Sequence, residues 1–187
     1  SGWVVGYDLE GGDVASHAFI WDGSSMRGLT PFHDPRDSYA IAINTNGWVI
    51  GEVVNVGSFL WNGSSMQDLG ALGVRAYALN ASGWVAGSRG SHAVILNGQG
   101  IQDLGTLGGN TLGTAINASG WVAGVGYLSP NVPVSGASHA FLWNGASLQD
   151  LGTLGGTKSE AVAINGSGWV VGRSTIPGDT AFHAFVW

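Results

Sequence analysis

The sequence predicts an all-β fold: a β-propeller of five blades, each with four antiparallel strands, and with incomplete blades at the two ends. Three observations predict it. Four short phrases cycle in one order along all 187 residues. Each phrase is rich in Val, Ile, Phe or Trp and is bounded by Gly, Asn or Ser, the signature of a short strand. The cycle closes roughly every 40 residues, the period of a propeller blade.

Phrase a is Ala42-Ile43-Asn44, Ala78-Leu79-Asn80, Ala115-Ile116-Asn117 and Ala163-Ile164-Asn165. Phrase b is the Gly-Trp-Val stretch around Trp3, Trp48, Trp84, Trp121 and Trp169. Phrase c reads His-Ala-Phe-x-Trp, as in His17–Trp21, His139–Trp143 and His183–Trp187, with variants at Gly57–Trp61 and His92–Leu96. Phrase d resembles Met-Gln-Asp-Leu-Gly and carries Asp68, Asp103 and Asp150 in one phase, with Gly28 in the first copy. No ten-residue window offers a helical period free of Gly. A single repeat domain over 1–187 follows, with blades at roughly 1–30, 31–70, 71–105, 106–152 and 153–187. A β-solenoid is the rival architecture. Solenoid rungs hold a more constant length, whereas here the distance between phrase-b tryptophans runs from 36 to 48 residues.

Spacing separates two ends of the strands. The Asn of phrase a always precedes the Trp of phrase b by four residues, and the first residue of phrase c precedes the Asp position of phrase d by eleven. These fixed links are tight turns, in which Gly and Asn supply positive φ and side-chain-to-backbone bonds. The b–c and d–a links vary in length and lie at the other end of an antiparallel meander. Thirteen of the 18 charged residues fall in them, from Asp8 to Asp179. Variable loops on one face of a repeat fold are where binding is expected.

Composition excludes several classes. The net charge is −6 with a single lysine, which argues against nucleic acid and against an anionic membrane surface. No apolar run approaches the roughly 20 residues of a membrane-spanning helix, so no membrane insertion is expected. Without cysteine there is no disulfide scaffold and no thiolate chemistry. The chain begins without Met, which leads us to expect that an upstream piece has been removed.

The repeat also absorbs most chemical candidates. All nine tryptophans sit in phrase b or at the end of phrase c and are expected to pack between blades. His17, His92, His139 and His183 open phrase c and read as hydrogen-bonded structural groups rather than metal ligands. Asp68, Asp103 and Asp150 are expected to accept backbone N–H groups where strand d ends. What breaks the repeat stands out more. Asp8, Glu10 and Asp13 lie in the first b–c link, and His33, Asp34 and Asp37 in the first d–a link. Brought together, they form an acidic patch suited to Ca²⁺ or to a hydroxyl-rich ligand such as a glycan. A carboxylate pair for glycoside hydrolysis can be drawn from the same residues, but no fixed spacing supports it. The longest b–c link, 125–138, carries no charge and reads as a packing or protein-contact loop.

The combination Asp-Leu-Gly-Thr-Leu-Gly-Gly, Ala-x-Asn-x-Ser-Gly-Trp-Val-x-Gly and His-Ala-Phe-Leu-Trp resembles the HAF family of probable extracellular bacterial repeats. The triplet His-Ala-Phe stands at 17–19, 139–141 and 183–185, and it is altered to Gly57-Ser58-Phe59 and His92-Ala93-Val94 in the other copies. The resemblance covers nearly the whole chain. It implies a secreted or surface-anchored bacterial protein, often in tandem arrays, and no catalytic activity. Apart from the Ca²⁺ considered above, no cofactor is expected. The expected function is therefore a non-catalytic extracellular scaffold, adhesive or self-assembling, whose expected partners are other copies of itself, met through exposed edge strands or apolar loops, or glycans. A lectin-like module using the variable loops is the alternative, and a glycoside hydrolase the third.

Overall fold

The computed structural model describes residues 2–9, 15–33, 35–130 and 136–187. The protein is all-β. Eighteen strands form five small antiparallel sheets of three, four, four, four and three strands, and strand order within each sheet follows the chain. No sheet closes on itself. Among the described residues the one helical element is a single 3-10 turn at Pro31–His33, where Phe32 takes a positive φ.

Sheet 1 contains β1 (Val4–Asp8), β2 (His17–Trp21) and β3 (Met26–Gly28), which are phrases b, c and d. Sheet 2 runs β4 (Ser38–Ile43), β5 (Val49–Val53), β6 (Gly57–Trp61) and β7 (Met66–Asp68). Sheet 3 comprises β8 (Val74–Leu79), β9 (Val85–Arg89), β10 (His92–Asn97) and β11 (Gly100–Gly105). Sheet 4 has β12 (Thr111–Ile116), β13 (Val122–Tyr127), β14 (Ser138–Trp143) and β15 (Leu148–Asp150). Sheet 5 has β16 (Ser159–Ile164), β17 (Val170–Thr175) and β18 (Phe182–Val186), which are phrases a, b and c. The chain falls into two compact units, Ser1–Gly83 and Trp84–Trp187.

Strand a is longer than its sequence phrase. It spans six residues and carries a register shift, between Ala40 and Ala42, Gly113 and Ala115, and Ala161 and Ala163. Opposite each shift stands the glycine of phrase b. A Cβ on Gly51, Gly124 or Gly172 would collide with the carbonyl oxygen of Tyr39, Leu112 or Glu160 and crowd the ring of Phe59, Phe141 or Phe185. Glycine is required there because backbone and an aromatic ring close on the same point. Because the strands extend past the phrases, Glu52, Arg75, Arg89, Glu160 and Arg173 belong to strands rather than to links.

The a–b turn is built around the phrase-a asparagine. Oδ1 of Asn44 accepts the N–H groups of Asn46 and Trp48, both at 2.9 Å. Asn117 holds Ser119 and Trp121 at 3.0 and 2.9 Å, and Asn165 holds Ser167 and Trp169 at 2.9 and 3.0 Å. The positive φ falls on the glycine, at Gly47, Gly83, Gly120 and Gly168, not on the asparagine. In the c–d turn Asp22, Asn62 and Asn144 accept the N–H groups two and three residues on, an Asx turn followed by a positive-φ glycine.

Successive sheets pack face to face inside each unit, and strand a is the element that docks. In the first unit β4 lies against β1 and β2, and β8 against β4, β5 and β6. In the second, β12 lies against β9 and β10, and β16 against β12, β13 and β14. Each strand thus alternates between a forward face, which meets the next sheet, and a rear face, which meets the one before. Between sheets 4 and 5 the forward residues Ala123, Ala140 and Leu142 meet the rear residues Ala161 and Val170, with Trp121, Leu151, Ile164 and Phe185 at the margin. Between sheets 1 and 2, Ala18, Ile20 and Leu29 meet Val49, Val53 and Phe59.

Polar atoms in these interfaces are paired across sheets. The buried Ser38 and Ser159 hydroxyls, each at the start of a strand a, accept the N–H groups of Ala18 and Ala140 at 2.9 and 2.8 Å. Between sheets 2 and 3 the roles are exchanged. Strand a begins with Val74, and the hydroxyl comes instead from Ser58 on strand c, accepting Ala76 N–H at 3.0 Å. A buried N–H left without a partner costs about 1–3 kcal/mol. Ser159→Ala is therefore expected to lower stability by about that amount, read as a lower urea midpoint, while Ser167→Ala in an exposed turn stays within about 0.5 kcal/mol.

Candidate functional site

The acidic patch expected from the first two variable links is only partly visible. Glu10, Asp13 and Asp34 lie outside the described residues, as do 131–135 of the long uncharged link. Asp8 ends β1 and is exposed. His33 closes the 3-10 turn. Asp37 is engaged by the backbone: its Oδ1 accepts Ser16 N–H at 2.6 Å and its carbonyl accepts Val54 N–H at 2.9 Å, bracing sheet 1 against sheet 2. Among the described residues no group of three or more His, Asp or Glu is arranged to hold a metal ion.

Two arginines on the strands pair with strand carboxylates. Arg75 reaches both carboxylate oxygens of Glu52 at 3.1 and 3.3 Å. Arg173 Nε donates to Glu160 at 2.6 Å, and its guanidinium lies 4.9 Å from the centre of the Phe182 ring. Arg27 stacks in the same way over Trp61.

The phrase-d aspartates accept backbone N–H groups at or just beyond the ends of their strands, from Ala71, Gly105 and Gly152, each at 2.8 Å. Two of them also hold a phrase-c histidine. His92 Nδ1 lies 2.8 Å from Asp103, and His139 Nδ1 2.8 Å from Asp150. Phe141 lies opposite Asp150 in the ladder, so His139, two residues earlier, is the diagonal neighbour on the same side. Reading each residue type separately missed the pair. The signal was the constant spacing of eleven residues, together with the loss of one partner in each of the first two copies, at Gly28 and Gly57. Where the partner is missing, His17 Nδ1 is buried without a hydrogen bond.

These contacts set the acid behaviour. Burial pushes the Asp103 carboxyl up, but the Gly105 N–H and His92 outweigh it and hold it below the usual carboxylate range. Asp179 is lowered by the Thr175 hydroxyl first, then by the N–H and hydroxyl of Thr157. A carboxylate whose folded pKa lies below its unfolded value stabilises fully above the ordinary value of about 3.9, and the contribution is lost as pH falls through the folded pKa. Urea midpoints are therefore expected to fall below about pH 4. In Asp179→Asn that acid limb should be shallower; an unchanged slope would show that Asp179 does not contribute to it.

The phrase-b tryptophans make the contact that joins one repeat to the next. The ring of Trp3 lies on Gly47, that of Trp48 on Gly83, that of Trp84 on Gly120 and that of Trp121 on Gly168. Each of these glycines is buried, and a Cβ on any of them would strike the ring. The tryptophans are therefore half-buried covers over the next turn. Trp61 and Trp143, at the ends of strands c, are more deeply buried, at 9% and 8% exposed. Gly2, which precedes Trp3, has nothing near its Cβ position, and Trp169 is exposed. No protein-family model matches the chain, and no curated protein matches its sequence.

Proposed function

We propose that the protein is a non-catalytic repeat scaffold of the bacterial cell exterior, built on a propeller-like succession of sheets and acting by self-association. One observation carries this reading. Among the described residues many large apolar side chains remain exposed along the whole series of sheets, Tyr7, Met26, Ile41, Leu72, Leu128, Leu154, Val162 and Phe182 among them, while only 10% of the chain is charged. Exposed apolar side chains on a surface with few charges favour association. Glu52, Glu160 and the phrase-d aspartates are meanwhile engaged in pairs and turns. The HAF-like phrases, the low charge content and the absence of cysteine support an extracellular setting.

The test is light scattering on purified protein over a range of concentrations and salt. Apolar association predicts a mass that rises with concentration and persists in high salt. A constant monomer mass would overturn the proposal. Protease treatment of intact cells tests the location, with loss of the protein expected before lysis.

A further inference from the structure

Sheet 3 departs from the other sheets at one end of its strands. Only Gly90 and Ser91 join β9 to β10, and Gly90 takes a φ of 58°. A two-residue hairpin sets the residues on either side of it directly opposite each other. Here they are Arg89 and His92. The residue facing the first position of phrase c is Asp8 in sheet 1, Val53 in sheet 2, Gly126 in sheet 4 and Ser174 in sheet 5. A cation stands there in sheet 3 alone.

The register gathers more groups on the same side. Ladder partners share a face, and so do residues two apart on one strand. Val94 pairs with Asp103 and Leu96 with Ile101, so Arg89, His92, Val94, Ile101 and Asp103 share one face of the sheet. β10 and β11 also carry a register shift between Ala93 and Val94, which the c–d pairs of sheets 1, 2 and 4 lack. The ladder thereby runs on to Gly105, whose N–H holds Asp103. Bulges of this kind re-aim side chains beside binding sites. The five residues line a cleft of about 410 Å³ that lies wholly on β9–β11 and their turn. Small-molecule sites occupy roughly 300–1,000 Å³.

The groups in the cleft define what fits it. Asp103 lies 2.8 Å from His92 Nδ1, so in the neutral ring the hydrogen sits on Nδ1 and Nε2 is an acceptor. Arg75 and Arg173 are ion-paired, whereas Arg89 forms no salt bridge among the described residues. Its guanidinium fork matches a carboxylate. Val94 is buried and Ile101 half-buried, which gives an apolar floor. No aromatic ring lines the cleft, so a neutral sugar has no platform on which to stack. Arg89 repels a metal cation, and a single arginine is too little for a nucleic-acid backbone.

We infer that the cleft on sheet 3 binds a sugar acid, with its carboxylate on Arg89, a hydroxyl donating to His92 Nε2 and the apolar face of its ring over Ile101 and Val94. This goes beyond the scaffold reading and stands or falls independently of it.

Saturation-transfer difference NMR on the full chain tests the site, because it reads binding whether or not the protein associates. The probes are D-galacturonate, D-galactose as the neutral counterpart, and acetate as a carboxylate without hydroxyls. Galacturonate should give a saturable signal, and the other two should bind roughly tenfold or more weakly, each lacking one charged or hydrogen-bonded contact. Arg89→Gln should weaken galacturonate by a similar factor, while Arg75→Gln on sheet 2 should leave it unchanged. Both arginines are exposed, and circular dichroism matching the wild type confirms that folding is retained. A tetramer of galacturonate that binds more tightly than the monomer identifies a polysaccharide as the source of the ligand, and equal affinity identifies the free sugar acid. No signal from galacturonate, equal binding of galactose or acetate, or full binding by Arg89→Gln overturns the inference.

Discussion

Gly124→Ala is expected to destabilise the second unit by about 3 kcal/mol, the upper end of the usual cost of overpacking a core. The added methyl meets the Leu112 carbonyl oxygen and the Phe141 ring together. The carbonyl belongs to a strand held in register on both sides of the bulge, so it cannot retreat without breaking the β12–β13 ladder. Gly6→Ala is the control. Sheet 1 has no strand beside β1 at that point, and the methyl would meet only the edge of the Phe19 ring at 3.0 Å, which a small rotation relieves. Thermal unfolding followed by circular dichroism should show Gly124→Ala melting several degrees below Gly6→Ala. Equal melting temperatures would mean that the a-strand carbonyl does not set the requirement for glycine.

Phe141→Ala is expected to cost about 3–5 kcal/mol, the range for removing a large aromatic side chain from a core. Phe141 is fully buried, packed over Gly124 in the middle of sheet 4. Phe185 holds the same place in sheet 5 but is only half-buried, so Phe185→Ala should cost clearly less. Urea unfolding of the two variants measures the difference, and a Phe185→Ala loss as large as that of Phe141→Ala would contradict it. In the double variant Gly124→Ala/Phe141→Ala the losses should not add, because removing the ring frees one of the two obstacles to the new methyl.

The strands and tight turns were legible because local chemistry determines them. Val, Ile, Phe and Trp between Gly and Asn can form little else, and the invariant four- and eleven-residue spacings fix the hairpins. Strand a was read only at its last residues, since Ser38-Tyr-Ala-Ile and Ser159-Glu-Ala-Val interrupt the alternation with a bulge. Glu52, Arg75, Arg89, Glu160 and Arg173 read as link residues because the repeating phrases stop short of the strand ends. The tryptophans were recognised as packing residues, but their partner was not, because Trp84 and Gly120 are brought together by stacking of sheets and not by neighbouring sequence. The acidic residues of the first two links gave a composition without a geometry. Asp37 shows why: a carboxylate that breaks the repeat is as useful for bracing backbone as for holding a ligand.

The exchange of hydroxyls between strands a and c has a consequence for how such a chain can change its length. Unequal recombination among near-identical repeats deletes or duplicates whole sheets, and the Trp-on-Gly contact would survive any such event. The hydroxyls would not. Sheet 3 begins with Val74 and relies on Ser58 of the sheet before it to satisfy Ala76 N–H. Placed directly after sheet 1, it would meet Ala18 instead, and the N–H groups of Ala18 and Ala76 would both be buried without an acceptor. Neighbouring repeats are therefore matched pairs, and the order of the sheets is written in which of two strands carries a serine.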